Sequence, residues 1–196
     1  MIPLSLILSF QFLYGQKKGL KKEKAFLNWF FQNSSTRPFL TPYSLDSITV
    51  YSSGISNKRI DEIKNILDAD TLADIECKKN IVVFNKNERS YIHQQLEKMK
   101  SELWPEKLFK NSLIIDRDTI NAIFKKTIVQ QVEFFRKYPH GYSFFSKPIF
   151  IRNNTLCIFY SGYNCAHNCF DDQLFILRKE AEDWVPFILL IDGAGI

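Results

Sequence analysis

The sequence predicts an α+β fold in which a helical N-terminal two thirds packs on a C-terminal antiparallel β-meander. Apolar residues recur at helical spacing through most of residues 20–138, whereas short apolar runs alternate with turn-like segments from Lys147 onward. The chain has 196 residues, 45% of them hydrophobic, which is enough to bury one sizeable core. Neither an internal repeat nor a linker rich in Gly, Ser or Pro interrupts it, so residues 16–196 are predicted to form one domain.

Helices are predicted from capping residues and from the spacing of apolar side chains. They are expected at residues 20–33, from Ser56 or Asn57 onward, from Asn87 to before Pro105, and from Asp116 or Asp118 to Pro139. The apolar residues predicted to form the buried faces of the last three are Ile60, Ile63 and Leu67; Ile92, Leu96, Met99 and Leu103; and Ile120, Ile123, Phe124, Ile128, Val132 and Phe135.

Strands are predicted where β-branched and aromatic residues cluster. The N-terminal part has three candidates, at 47–51, at 81–84 (read as a short buried strand) and at 113–115. The C-terminal part has four, which are 148–151, 155–160, 173–178 and 184–191. Because Asn153-Asn154 and the segment 180–183 are turn-like, consecutive C-terminal strands are expected to pair antiparallel.

The N-terminus carries a targeting signal. Residues 2–15 contain no charged side chain and are mostly apolar, too short a run to cross a bilayer but long enough for the core of a signal peptide. Residues 1–15 are therefore predicted to be a signal peptide, with a mature chain that begins at Gln16 and is secreted or periplasmic. The alternative is a cytoplasmic protein that retains this segment as a buried helix. No stable membrane span is predicted.

Charge and motif content exclude several functions. The net charge of +5 owes much to the lysines at 17, 18, 21, 22 and 24, a short tract with no groove-reading module beside it, so nucleic acid is not a predicted partner. The sequence lacks a phosphate-binding glycine loop, a zinc-protease helix motif and a nucleophile elbow. We therefore assign no catalytic residue and predict no cofactor.

The four cysteines suggest an oxidising compartment. Cys165 and Cys169 are four residues apart and are predicted to form a disulfide that pins a hairpin tip. A zinc site that uses them with His167 is disfavoured because no second Cys/His pair exists, so no metal is predicted. Cys157 is either a buried thiol or the partner of Cys77.

Three features of the C-terminal half resemble a group of uncharacterised secreted bacterial proteins that have a cysteine-containing hairpin near the C-terminus. They are the segment Ser146-Lys147-Pro148, the hairpin tip at 165–170, and Trp184 after the charged turn at 180–183. In that group the tip carries two glycines, both of which are replaced here. The resemblance covers residues 81–184 and implies an exported protein, with no activity to transfer.

Two functional hypotheses follow. In the first, the chain is a non-catalytic binding domain for a protein, a peptide or an envelope component, with possible contacts at His140, Tyr142, Phe144, Phe145 and Tyr163. In the second, it is a small secreted hydrolase or transferase. That hypothesis needs His140 to meet a carboxylate such as Asp171 or Asp172 in a cleft. The binding domain is favoured because no complete catalytic set is visible.

Overall fold

The computed structural model describes residues 20–32, 49–76, 79–106, 108–109, 112–164 and 170–193. The chain divides into two compact units, residues 1–42 and 43–196. Within the first unit, residues 20–32 form helix α1, close to the predicted 20–33, and Phe26, Leu27 and Phe30 of this helix are buried. None of the helices described has the length and apolar composition needed to cross a membrane. The predicted signal peptide lies outside the described residues.

The second unit is built on a seven-stranded mixed sheet, so the predicted fold class is wrong. Its elements in chain order are β1 (Thr49–Ser52), α2 (Asn57–Leu67), β2 (Leu72–Ala73), β3 (Ile81–Val82), α3 (Lys86–Met99), β4 (Ser112–Ile115), α4 (Arg117–Phe124), α5 (Ile128–Lys137), β5 (Tyr142–Phe145), β6 (Ile149–Ile151), β7 (Leu156–Asn164), β8 (Phe170–Glu180) and β9 (Asp183–Asp192). The sheet order is β4-β1-β5-β7-β8-β9, with β6 also paired to β7, and β2 and β3 form a separate hairpin.

Strands β1 and β4 account for the error in the predicted fold class. β1 pairs in parallel with both β4 and β5, while β7, β8 and β9 pair antiparallel in sequence order as expected. The first two thirds of the chain are thus not a helical layer, because two of their strands belong to the main sheet. Parallel partners are joined by long crossovers, so local patterning does not show which strands pair.

One face of the sheet carries helices α2 to α5. Side chains of α2 and α3 form the main core with β6, β7 and β8, while α4 and α5 form a smaller cluster over β1, β4 and β5. On the other face, Phe145 lies 5.9 Å from the Tyr51 ring and 5.5 Å from the Trp104 ring, measured between centroids. The two faces follow from strand alternation, since Phe144 and Phe145 must point in opposite directions.

Two details of α3 and β3 differ from the predictions. The N-cap of α3 is Asn85 rather than Asn87, because Asn85 forms a reciprocal capping box with Glu88. Ile81 and Val83 are 58% and 55% exposed. The segment 81–84 is therefore not a buried strand, since β3 pairs only with β2 and buries alternate residues.

The predicted helix over 116–139 is two helices. α4 ends at Phe124, and Thr127 has an extended backbone (φ −63°, ψ 156°) that restarts the chain as α5. Because of this break, the buried side of α5 does not continue the buried side of α4. Phe134 is buried, but Ile128 and Val132 are 79% and 44% exposed, contrary to the prediction that both are buried.

Candidate functional site

A pocket of about 160 Å³ lies at the carboxyl ends of the parallel strands β1 and β4. In open sheets with parallel strands this is the edge at which ligands bind. The lining residues come from the loop after β1 and the start of α2, from α4, and from the sheet. They are Ser52, Gly54, Ile55, Ser56, Arg59, Arg117, Ile120, Asn121, Tyr142, Phe144, Tyr160 and Phe170.

Short hydrogen bonds shape the loop that borders the pocket. The Ser52 hydroxyl donates to the Gly54 carbonyl at 2.7 Å, which turns the chain directly after β1. The Ser53 hydroxyl accepts from the Arg117 backbone N–H at 2.9 Å, which ties the loop to the start of α4. Ser56 then caps α2 through a bond to the Arg59 N–H. The starts of α2 and α4 are thereby held side by side.

Aromatic rings form the sheet side of the pocket. Phe144 lies 6.0 Å from both Tyr142 and Tyr160 and stacks on Phe170 at 5.7 Å, measured between ring centroids. Gly162, opposite Phe144 on β7, leaves room for this ring, since a Cβ at Gly162 would lie 2.3 Å from the Phe144 Cζ atom. Burial raises the pKa of Tyr142 to about 12, so its hydroxyl stays protonated at neutral pH.

A buried carboxylate orients Arg59. The Asp172 side chain is 3% exposed, and its Oδ2 atom lies 2.6 Å from Arg59 Nη2 and 2.6 Å from the Tyr160 hydroxyl oxygen. Glu62 contacts the same guanidinium at 2.8 Å. Arg59 also lies 5.4 Å from the centroid of the Tyr160 ring. Burial and the neighbouring Asp172 raise the pKa of Tyr160, which therefore acts as a hydrogen-bond donor.

Arg117 is held mainly by backbone carbonyls. Its guanidinium donates to the carbonyls of Ile55 and Lys100 at 3.3 Å, and its Nε atom lies 3.4 Å from the exposed Asp118 carboxylate. Neutral carbonyls orient the cation but do not cancel its charge. Of the described residues that line the pocket, two are arginines and none is Asp or Glu. Arg117 is therefore the lining cation that can attract a negatively charged group, whereas Asp172 and Glu62 already balance the charge of Arg59.

The predicted binding residues are dispersed in the structure. Tyr142 and Phe144 line the pocket. Phe145 is buried on the opposite face of the sheet, His140 lies in the exposed turn after α5, and Tyr163 is partly buried on β7 opposite Asp171. None of these three is among the described residues that line the pocket. The structure thus joins two of the five side chains in one site.

The catalytic hypothesis, which pairs His140 with Asp171 or Asp172, stays a prediction. Asp172 is engaged with Arg59 and Tyr160 in the buried contacts given above. His140 is not among the described residues that line the pocket. The described residues also contain no group of three or more His, Cys, Asp or Glu side chains that could hold a metal ion.

The cysteine predictions remain predictions. Cys77, Cys165 and Cys169 lie outside the described residues, as does His167. Cys157 is fully buried in β7, with its Sγ atom 3.8 Å from the Ile158 carbonyl oxygen. The burial of Cys157 fits the prediction of a buried thiol. The alternative prediction, that Cys157 pairs with Cys77, stays open.

Sequence reasoning missed Arg59, Arg117 and Tyr160. The available signal was the repeated order of a short strand followed directly by a capped helix, at β1–α2 and at β4–α4. That order predicts two adjacent parallel strands whose following helix starts lie together. A second signal was the run of small residues Ser52-Ser53-Gly54, which is typical of a loop that approaches a ligand closely.

Searches against family models, curated proteins and solved structures found no match to this chain. The resemblance to secreted bacterial proteins therefore stays a prediction.

Proposed function

We propose that this protein is an exported, non-catalytic binding domain whose pocket takes an anionic group of a protein, a peptide or an envelope component. The observation that carries the proposal is the composition of the pocket lining. It joins Arg59 and Arg117 with four aromatic rings and, among the described residues, includes no carboxylate. Guanidinium groups bind carboxylates and phosphates through paired hydrogen bonds, and aromatic faces bind apolar groups.

The size of the pocket limits the ligand. A cavity of about 160 Å³ is smaller than the ~300–1,000 Å³ typical of sites for drug-sized molecules. A single aromatic or aliphatic group with an attached anion fits this volume. The ligand is therefore a small organic acid or the exposed end of a larger partner.

The positions of the aromatic rings and of the two arginines predict how the ligand is oriented in the pocket. Phe144 and Phe170 offer ring faces on the sheet side, while Arg59 and Arg117 lie at the starts of α2 and α4. The apolar group would rest on the rings with the anion directed toward the helix starts, where the backbone dipoles add to the attraction. Asp172 and Glu62 hold Arg59 in position without entering the lining.

Titration with three matched probes tests the proposal by NMR. Phenylacetate is compared with its neutral amide, phenylacetamide, and with the cation phenethylamine. We expect phenylacetate to bind most tightly and to shift resonances of Asn121 and Phe170. Asn121→Asp adds a negative charge to the lining and should weaken phenylacetate binding about tenfold, whereas Asn153→Asp, in the turn before β7, should not. Equal binding in both variants, or no shift at the pocket with any probe, would refute the proposal.

Export has a separate test. Mass spectrometry of the protein recovered from its native cells should show a mature N-terminus at Gln16. Recovery of a chain with an intact Met1 from the cytoplasm would refute export while leaving the binding proposal standing.

A further inference from the structure

The outer surface of helix α5 carries three exposed aliphatic side chains. Ile128, Val129 and Val132 are 79%, 68% and 44% exposed, and all three lie on the side of the helix opposite the buried Phe134. We call these three residues the α5 patch. Three aliphatic side chains clustered on one exposed helix face differ from the scattered exposed apolar residues of ordinary surfaces.

Basic side chains bracket the α5 patch at both ends. Exposed Lys125 and Lys126 precede it, and exposed Arg136 and Lys137 follow it. Between residues 119 and 137 the only acidic residue is Glu133, so the segment carries a formal charge of 4 − 1 = +3. The surface is therefore apolar in the middle and mainly cationic around its rim, where Glu133, four residues after Val129, is the one acidic side chain of this segment.

From this arrangement we infer that α5 docks the protein on the surface of a bilayer that contains anionic lipids. A ten-residue helix lies flat at such a surface, with its aliphatic side chains below the headgroups and its basic side chains among the lipid phosphates. The contact is peripheral. It uses a surface separate from the pocket and does not rest on the proposed function.

Charge and composition argue against a second copy of the chain, or another protein, as the partner that covers the α5 patch. A second copy of the chain would place one +3 surface against another, which repels. A stable protein interface buries about 800 Å² on each partner and is anchored by aromatic or arginine side chains in pockets. The α5 patch has only three small aliphatic residues and no exposed aromatic ring among its members. Binding to an anionic lipid surface adds the contribution of the aliphatic side chains that enter it to that of the basic side chains beside them, so the α5 patch and its basic rim act together.

Co-sedimentation of the full chain with lipid vesicles tests the inference. We expect binding to phosphatidylcholine vesicles that contain phosphatidylglycerol and little binding to pure phosphatidylcholine. The double substitution Lys125→Gln and Lys126→Gln should weaken binding about tenfold or more, as should Ile128→Gln with Val129→Gln. The matched control is Ile81→Gln with Val83→Gln, which removes two similarly exposed aliphatic side chains from β3. All variants have the same N-terminal sequence, so any binding by the residues before α1 is equal in each.

A direct probe separates lipid from an acidic polypeptide. The emission of a Val129→Trp variant should shift to the blue with anionic vesicles and should be quenched by brominated lipid. Poly-L-glutamate should not produce the shift. The inference fails if the chain does not bind anionic vesicles or if the β3 control loses as much binding as the α5 variants. It also fails if poly-L-glutamate gives the same blue shift, or if sedimentation shows a dimer that Ile128→Gln dissociates.

Discussion

The Tyr160 hydroxyl donates a hydrogen bond to the Asp172 carboxylate at 2.6 Å, and both side chains are buried on the helix-covered face of the sheet. Arg59 reaches the same carboxylate oxygen from α2 at 2.6 Å. Strands β7 and β8 and helix α2 therefore share one buried acceptor beside the pocket. A buried network in which every member is paired stabilises a single arrangement of these elements.

Removal of the Asp172 carboxylate, the shared acceptor, should lower the free energy of unfolding. Asp172→Ala leaves the Tyr160 hydroxyl without its acceptor, while Arg59 keeps Glu62 at 2.8 Å. We expect the free energy of unfolding to fall by about 2–3 kcal/mol. Tyr160→Phe removes one donor and should cost about 1–2 kcal/mol. Urea denaturation measures both. Asp183→Ala, at the exposed first residue of β9, is the control and should change stability by less than about 0.5 kcal/mol.

Substitution of Gly162 should destabilise the fold because the Phe144 ring packs directly against this glycine. A Cβ at Gly162 would lie 2.3 Å from Phe144 Cζ and 2.6 Å from the Asp171 carbonyl oxygen, so the ring and the backbone must both move. We expect Gly162→Ala to destabilise the fold by about 1–3 kcal/mol and to displace the ring from the pocket.

Gly54→Ala provides the matched comparison. The nearest atom to a Cβ at Gly54 is Leu103 Cδ2 at 3.5 Å, an ordinary contact. Thermal denaturation should show a small effect for Gly54→Ala and a large one for Gly162→Ala. Equal effects would contradict the packing of Phe144 over β7.

Glu88 makes the stability depend on pH. The Arg152 guanidinium donates to its carboxylate at 2.8 Å and holds the pKa of Glu88 below its ordinary value of 4.5. A lowered pKa in the folded state stabilises the fold above pH 4.5, and this contribution is lost as the pH falls through the folded value. Glu88→Gln should cost about 1–2 kcal/mol at pH 7 and progressively less toward pH 3.

Denaturation of the wild type and Glu88→Gln at a series of pH values isolates this effect, because other carboxylates titrate in both proteins. Glu182→Gln is the control, since that side chain is 97% exposed and its replacement should change stability by less than about 0.5 kcal/mol. A constant difference between Glu88→Gln and the wild type across the series would show that the bond to Arg152 does not perturb Glu88.

Arg89 of α3 should stabilise the end of α2. Its guanidinium donates to the carbonyls of Leu67, Asp68, Ala69 and Asp70 at 3.2, 2.8, 2.9 and 3.3 Å. Arg89→Lys keeps the charge, but one ammonium cannot reach four carbonyls, so we expect a loss of about 1–2 kcal/mol. Lys86→Ala, exposed at the start of α3, is the control. Equal stability of Arg89→Lys and the wild type would mean that charge alone matters here.

Features that depend on residues close in the chain could be predicted from the sequence. Ser56 and Asp116, each one of two predicted alternatives, cap α2 and α4. Such starts are predictable because a cap bonds to N–H groups two or three positions away. Ile60, Ile63 and Leu67 are buried on α2, as their spacing predicts. The antiparallel pairing of β6 with β7 and of β8 with β9 was also predictable, since turns around Asn153 and Ala181 join strands that are consecutive in the chain.

The sheet order and the site depend on contacts between segments that are far apart in the chain. β1 and β4 are parallel neighbours although α2, β2, β3 and α3 lie between them, and periodicity within a segment carries no information about a distant partner. The same is true of the contact from Arg59 to Asp172 and of the bond from Arg117 to Ser53. The direction of an amphipathic face is also a tertiary property. Ile128 has the spacing of a core residue but is exposed, because the break at Thr127 turns α5 away from the line of α4.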